Sequence, residues 1–365
     1  MQEIKLLHIS SALSWRGGEQ QIAYLVEALN KLNIEQHLFC VEQTPMEAWC
    51  KTNKISHFAY KKRSSFSTKT AEKVAAFCYI KKINIVHAHD SHAHTYAFMS
   101  VVLNWNKANI VVSRRVDFPI RSNLLSKWKY NHNSIKKIIC VSEGVKSVLF
   151  PVIKDKEILN VIYDGIDIER FVFDRSNILH REFNLPKEKI IIANIAAIAN
   201  HKDYFTFVNT ARCLINRGLD AIFFIIGGDG GEEAMIKKYV HQQNLSAHIL
   251  FTGFRTDIPR ILPEVDVLLF TSKEEGLGTT ILDAFACRVT VVATAAGGIP
   301  EIVLHEQTGL LANIGDANTL ADYVEKILKN NDLRLQLIRN ATQKVMDFSK
   351  ENMAKKTLEV YQYLL

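Results

Sequence analysis

The sequence predicts an α/β protein built from two doubly wound domains, each a parallel sheet with helices on both faces. Three observations carry this. Short apolar, β-branched runs alternate with helix-period segments along all 365 residues. Those runs are apolar on both faces, as strands buried between two helix layers must be. The alternation occurs twice, once on each side of a turn at Asp164-Gly165. The length agrees, because a chain of this size exceeds the usual single core.

In the first half the predicted strands are IKLLHIS, QHLFCV, INIVHAH, NIVVS, KKIICVS and ILNVIY. In the second half they are KIIIANIAAI, AIFFIIGG, HILFTG, VDVLLFTS and RVTVVAT, with Pro186 just before the first. The turn divides the chain into an N-terminal domain, 1–164, and a C-terminal domain, 165–347. A final helical stretch, 348–365, carries Met353, Leu358, Tyr361 and Leu365 on one face, so that face should dock, although spacing does not say where. In open parallel sheets the ligand crevice forms beyond the carboxyl ends of the strands, so two such domains facing one another predict a cleft lined from both.

Composition narrows the classes. With 48% hydrophobic and 23% charged residues, the chain reads as an ordinary globular protein. No run is apolar for long enough to cross a bilayer, and MQEIKLLHISS reads as a first strand rather than a signal peptide, which predicts a cytoplasmic protein. The six cysteines form no C-x-x-C pair and suit buried, reduced thiols. Charge is uneven: residues 1–165 hold 23 Lys/Arg against 13 Asp/Glu, whereas 166–365 hold 22 against 25. The basic half suits an anionic partner, either a phospholipid surface or a phosphorylated acceptor, or simply a solvated basic face. Neither YKKRSSF nor KWKYNHNSIKK sits in a recognisable RNA- or DNA-binding module, so no nucleic-acid partner is expected.

Each chemically loaded segment follows a strand. After the first, Gly17-Gly18 precede a helix, and glycine there lets backbone N–H groups approach a ligand, although a tight turn would look the same. NIVHAHDSHAH carries His87, His89, His92 and His94. These leave two readings: a metal cluster, or one catalytic or substrate-holding histidine among structural ones. The second is preferred, because no Cys or Glu supports the set. IAAIANHKD places Lys202 where a cation can neutralise a departing diphosphate, although taken alone it reads more simply as an ordinary surface lysine. FIIGGDGGEE adds a glycine turn whose spacing matches no dinucleotide fingerprint, and TAAGGIPEIV a Gly-Gly with Pro300 at a helix start, which pure architecture would also explain. SKEEGLGTTILDAFA sets Glu274 and Glu275 before Gly276-Leu277-Gly278-Thr279 at a helix start, with Asp283 eight residues after Glu275. A helix N-terminus attracts phosphate, so the acids must serve another part of the ligand.

EEGLGTTILDAFACRVTVVATAAGGIPEIV resembles the signature of glycosyltransferase family 4, retaining enzymes of the GT-B fold that transfer a sugar from a nucleotide diphosphate donor. The resemblance extends over nearly the whole chain, through Gly17-Gly18, the histidines, VIYDGID and the HKD lysine. It implies that Glu275 holds hydroxyls of the donor sugar, Asp283 the ribose, and the backbone from Gly276 through Leu277, Gly278 and Thr279 the phosphate. It implies that Lys202 binds the diphosphate, that His89, with His87 as the alternative, is the cleft histidine, and that Gly18 approaches donor phosphate or acceptor. No metal and no cofactor are implied, since Lys202 and backbone donors would replace the divalent ion of other transferases. The sequence departs from the family twice: Asp283 is one methylene shorter than the usual Glu, and Ala196-Ala197-Ile198 lacks the basic residue often found before the lysine, for which Arg16 or Arg255 are candidates.

The N-terminal domain would then bind a glycan or glycolipid acceptor, with Arg114, Arg115 and Arg121 as candidate contacts or, equally, internal partners of Asp117. The implied role is in cell-surface polysaccharide or lipopolysaccharide synthesis, with peripheral attachment to the inner membrane face as the further expectation. The rival readings are a nucleotide-sugar epimerase or phosphorylase of the same fold, a metal hydrolase built on the four histidines, and a non-catalytic sugar-nucleotide-binding subunit.

Overall fold

The computed structural model of the chain describes residues 3–64, 66–120, 124–171, 175–228 and 230–365, so Arg121 lies outside the described residues. The chain divides into two units, residues 1–165 with 350–365, and residues 166–349.

The first unit holds a parallel sheet of β1 (Lys5–Ile9), β2 (Glu35–Val41), β3 (His57–Tyr60), β4 (Ile85–Ala88), β5 (Asn109–Arg114), β6 (Ile135–Cys140) and β7 (Leu159–Val161), in the order β3-β2-β1-β4-β5-β6-β7. The second holds β8 (Ile190–Ile195), β9 (Ala221–Ile226), β10 (Ile249–Gly253), β11 (Val267–Phe270), β12 (Thr290–Thr294) and β13 (Leu310–Ala312), in the order β10-β9-β8-β11-β12-β13. Every pairing is parallel. Each sheet therefore has a point where successive crossovers leave to opposite sides, between β1 and β4 in one and between β8 and β11 in the other. Ligand crevices form at such points.

The central strands are buried throughout because both faces carry apolar side chains; AIFFII in β9 and VLLF in β11 are examples. Phe207, Phe223, Ile225, Leu269, Val292 and Val324 belong to the core of the second unit. The sequence reading missed two strands, β3 and β13. Both are edge strands of three or four residues, too short to show a long doubly apolar run.

The C-terminal helix Lys350–Tyr363 belongs to the first unit. Met353, Ala354, Thr357 and Tyr361 form its buried stripe, packed with Leu6, Leu25, Leu29 and Ile85. Leu358 is only partly buried, and Leu365 is exposed at the end of the chain. Burial of Met353 and Tyr361 contributes about 1.5–3 kcal/mol for each side chain. Lys350 adds an ion pair with Glu27 at 3.6 Å. Five of the six cysteines are buried, and Cys213 is half-buried. Among the described residues no helix is long and apolar enough to cross a membrane.

Glycine is required where the β8 and β9 ends converge. A Cβ on Gly227 would sit 1.9 Å from the Ala196 carbonyl oxygen, whereas one on Gly228 would meet nothing closer than Phe254 Cβ at 3.5 Å. Gly227→Ala is therefore expected to destabilise the second unit by about 3 kcal/mol, the upper end of overpacking costs. Gly228→Ala should stay within about 1 kcal/mol of wild type. Urea unfolding of the two variants checks the contrast.

Candidate functional site

In the second unit the decisive loops follow β8 and β11, neighbours in the sheet but far apart in sequence. After β8 the chain makes a tight turn at Asn200–Lys202 and enters the helix Tyr204–Asn216. Asp203 caps that helix: its Oδ2 accepts from Thr206 Oγ1 at 2.6 Å, and its Oδ1 lies 3.5 Å from Lys273 Nζ. After β11 the segment Thr271–Gly278 is laid against this turn. Lys273 N donates to the His201 carbonyl at 2.8 Å, and the Thr271 hydroxyl lies 3.1 Å from both the Lys202 and Asp203 carbonyl oxygens.

These ties bring Lys202 Nζ onto Glu275 Oε2 as a direct ion pair. Both side chains are about 15% exposed, so each offsets part of the other's desolvation cost. Ser272 Oγ donates to the same carboxylate oxygen at 3.3 Å, and Lys202 Nζ stands 5.6 Å above the Phe270 ring. The TAAGG segment supports the arrangement through Gly298 N, which donates to the Glu275 carbonyl at 3.0 Å.

Gly276, Leu277 and Gly278 lead from this pair into the helix Thr279–Ala286. Gly278 has φ +91°, the left-handed region where glycine is favoured, and so turns the chain into the first helical residue. Leu277 is buried. Asp283 lies one turn further on, half-buried. Burial pushes its carboxyl up to about 7, opposed by the positive charge of Arg170. Of the cations considered for the missing basic position, Arg255 is already committed, 2.8 Å from both Glu182 and Asp257. Arg16 is exposed and belongs to the first unit.

In the first unit the corresponding point lies between β1 and β4. Gly17 and Gly18 open the helix Gly17–Lys31, and a Cβ on either would meet nothing within 4 Å. No protein packing requires glycine there. Asp90 joins the two strand ends: it accepts from Ser11 N and Oγ at 2.6 Å and caps the helix Ser91–Asn104 through His92 N and Ala93 N. His89 is buried beside His8 and His87. Its Nε2 lies 2.8 Å from His8 Nδ1, while His87 reaches Tyr361 OH at 2.5 Å and Ser113 Oγ at 2.8 Å. Desolvation holds His87 and His89 neutral, well below the usual histidine range.

The four-histidine cluster considered from the sequence is not assembled. Among the described residues, His8, His87 and His89 are the set whose ring nitrogens fall within 4.8 Å of one another. His92 and His94 ride on the next helix, whose turn takes His94 into the interior edge-on to Tyr130 at 4.6 Å. His8, Gln36 and Tyr361 were missed. The one available signal was a polar residue inside a doubly apolar strand, which HIS in LLHIS provides for His8. Arg114 and Arg115 are both engaged within the chain. Arg114 donates to the Phe118 carbonyl and stacks 5.0 Å from the Phe118 ring, and Arg115 Nε lies 3.1 Å from Asp164 Oδ1.

Residues 15–170 match the family described as Glycosyltransferase Family 4, and residues 176–344 match Glycosyl transferases group 1. The chain belongs to glycosyltransferase family 4. This family 4 glycosyltransferase is 24% identical over 319 residues to the N-acetyl-alpha-D-glucosaminyl L-malate synthase of Bacillus anthracis, covering 85% of this chain and 81% of that protein. It is 25% identical to the N,N'-diacetylbacillosaminyl-diphospho-undecaprenol alpha-1,3-N-acetylgalactosaminyltransferase of Campylobacter jejuni over 262 residues, 70% of this chain and 65% of that one. The structure of HepE from Anabaena, solved with UDP and glucose, superposes with a TM-score of 0.86 at 17% identity, covering 99% of this chain and 100% of HepE. The family 4 glycosyltransferase thus has the GT-B fold, with two Rossmann-like domains carrying the 7- and 6-stranded sheets.

Asp283 supplies a pH test. Its folded pKa of about 7 lies above the ordinary carboxyl value of 3.8, so the unfolded chain ionises first and stability falls as pH rises from 4 to 7, then levels. Asp283→Asn should therefore be more stable than wild type above pH 7, by about 2 kcal/mol after allowance for partial exposure, with the gap closing toward pH 4. Thermal unfolding across that range measures it.

Proposed function

We propose that this protein is a retaining glycosyltransferase that moves a sugar from a nucleotide diphosphate donor to a glycan or glycolipid acceptor. The observation that carries the reading is the Lys202–Glu275 pair at the carboxyl ends of β8 and β11, beside the start of the helix Thr279–Ala286. A diphosphate needs positive charge that strengthens as the bond to the sugar breaks. The Lys202 ammonium and the N–H groups at the helix start supply it. Glu275 accepts hydrogen bonds from hydroxyls of the donor sugar, and Asp283 accepts from the ribose once ionised.

Lys202 and Glu275 neutralise each other as a direct ion pair. A donor carries the partner of each, phosphate for the lysine and hydroxyls for the carboxylate, so binding exchanges one pair for two. Attack then comes from the face the diphosphate leaves: the bond from anomeric carbon to phosphate oxygen breaks, and the acceptor oxygen bonds to that carbon. The acceptor proton passes to the departing phosphate oxygen, so no enzymic nucleophile is needed and configuration is retained. In this reading His89 holds a substrate hydroxyl, and the positive charge comes from the protein rather than from a divalent ion. An epimerase of the same fold would alter the donor without any acceptor.

The UDP and glucose bound by HepE support a uridine diphosphate sugar as donor. The Campylobacter relative's lipid-linked acceptor supports a glycolipid, and so a role in cell-surface glycan or lipopolysaccharide synthesis. Lys202→Ala and Glu275→Ala are each expected to lower kcat about 10²–10³-fold, as removal of a transition-state charge partner does, with the fold intact by circular dichroism. Wild-type turnover in both would remove the assignment. In a thermal-shift screen of UDP, GDP and ADP sugars, selective stabilisation by a UDP sugar is expected.

The basic first unit supports peripheral contact with an anionic membrane. Its short helix Leu124–Tyr130 exposes Leu124, Leu125 and Trp128 beside Lys127, with Phe118 also exposed. Co-sedimentation with phosphatidylglycerol vesicles should exceed that with neutral vesicles and fall for Leu124→Ser/Trp128→Ser. Equal binding to both vesicle types would count against the contact.

A further inference from the structure

The protonation of the buried histidines in the first unit can be worked out from their neighbours. Gln36 fixes one end. Its Nε2 donates to the Val26 carbonyl at 2.8 Å and to Asn30 Oδ1 at 2.7 Å. A backbone carbonyl can only accept, so the amide cannot be reversed, and Oε1 is the atom 3.1 Å from His8 Nε2. An amide oxygen also only accepts, so His8 Nε2 carries the proton. Desolvation pushes the pKa of His8 down to about 4, so the ring is neutral and its Nδ1 holds a lone pair.

That lone pair lies 2.8 Å from His89 Nε2, which must therefore be the donor. His89 is itself neutral, held so by burial and then by His87, His8 and Arg115, so its single proton is the one on Nε2. Its Nδ1 is left bare. This atom is buried and has no hydrogen-bond partner among the described residues. By contrast, both nitrogens of His87 are engaged, by Tyr361 and Ser113. A buried, unpartnered acceptor costs about 1–3 kcal/mol, which a hydroxyl donor would recover.

We infer that Gln36 and His8 form a relay that locks His89 in the Nε2–H tautomer, so that Nδ1 accepts a hydrogen bond from a hydroxyl of the sugar substrate. Gln36 and His8 are positioning residues; His89 makes the contact. The substrate half of this statement rests on the role given to His89 under Proposed function, whereas the tautomer does not. With the relay intact, a hydroxyl is accepted and a group that can only accept is refused. With the relay reversed, His89 would present an N–H at the same place and the preference would invert.

The test is long-range 15N–1H correlation of the histidine rings in the full-length protein, with the His89 signal identified by its loss in His89→Gln. In wild type, Nε2 is expected to be protonated and Nδ1 bare. Gln36→Leu frees His8 to carry its proton on Nδ1, so His89 should shift to the Nδ1–H tautomer or a mixture, with kcat/KM for transfer falling roughly 10–100-fold. His8→Leu removes the acceptor outright and gives the same readout if Gln36→Leu does not fold. His8→Gln returns an acceptor oxygen and should restore both tautomer and rate. A proton on His89 Nδ1 in wild type, or an unchanged tautomer in the folded Leu variants, overturns the relay. A changed tautomer with an unchanged transfer rate overturns the substrate contact. If wild type transfers sugar from no donor, the glycosyltransferase mechanism fails while the ring signals still decide the relay.

Discussion

The ion pair between Lys202 and Glu275 is the interaction on which the candidate site of the second unit depends. Two charged side chains at the end of a buried sheet each lose part of their hydration, and as direct partners each offsets part of that cost for the other. Their meeting is not an accident of side-chain reach. β8 and β11 are neighbours, and the loops beyond them are tied by the Lys273 N–H to the His201 carbonyl and by the Thr271 hydroxyl to the Lys202 and Asp203 carbonyls. The order β9-β8-β11-β12 sends the crossover helices to opposite sides at this point and leaves the loops room to carry polar residues. Gly278 then turns the chain sharply enough for a helix to begin beside the pair.

The first unit uses the same topological position for different chemistry. Between β1 and β4 it places neutral, buried imidazoles rather than an ion pair, and satisfies most of them through Gln36, Ser113 and Tyr361. Tyr361 comes from the last helix of the chain, so the C-terminus completes the surroundings of residues from the first and fourth strands. Asp90 plays the part that the Lys202 turn plays in the second unit, tying the ends of β1 and β4 together through two donors of Ser11 and capping the next helix through two more. One unit thus offers charge that can exchange partners, and the other offers a fixed lone pair. Phosphate chemistry needs the former and recognition of a hydroxyl the latter.

Much of the fold was legible in the sequence because a parallel strand buried on both faces leaves a contiguous apolar run. β3 and β13 escaped because edge strands do not need one. Glu275, Lys202 and the glycines were legible because they lie in local motifs after strands, where polar residues and glycines stand out. His8 and Gln36 were not, since each is a single polar residue in a segment read for its hydrophobicity. The arginines of VVSRRVD show the opposite limit. They read as a basic patch, yet Arg114 turns to the Phe118 carbonyl and Arg115 to Asp164, close in space but 49 positions away in the chain.

The sequence by itself determined the class of the long central elements, the twofold alternation of strand and helix, and the residue types of the acidic motif, because these follow from local periodicity and spacing. Tertiary structure alone decided which strands are neighbours, where the last helix docks, and which nitrogen of His89 is bare. Those outcomes depend on contacts between residues tens to hundreds of positions apart, such as Gln36 with His8 and His87 with Tyr361. Hydrogen-bond direction passes along such contacts one acceptor at a time, so it exists only once the chain has folded.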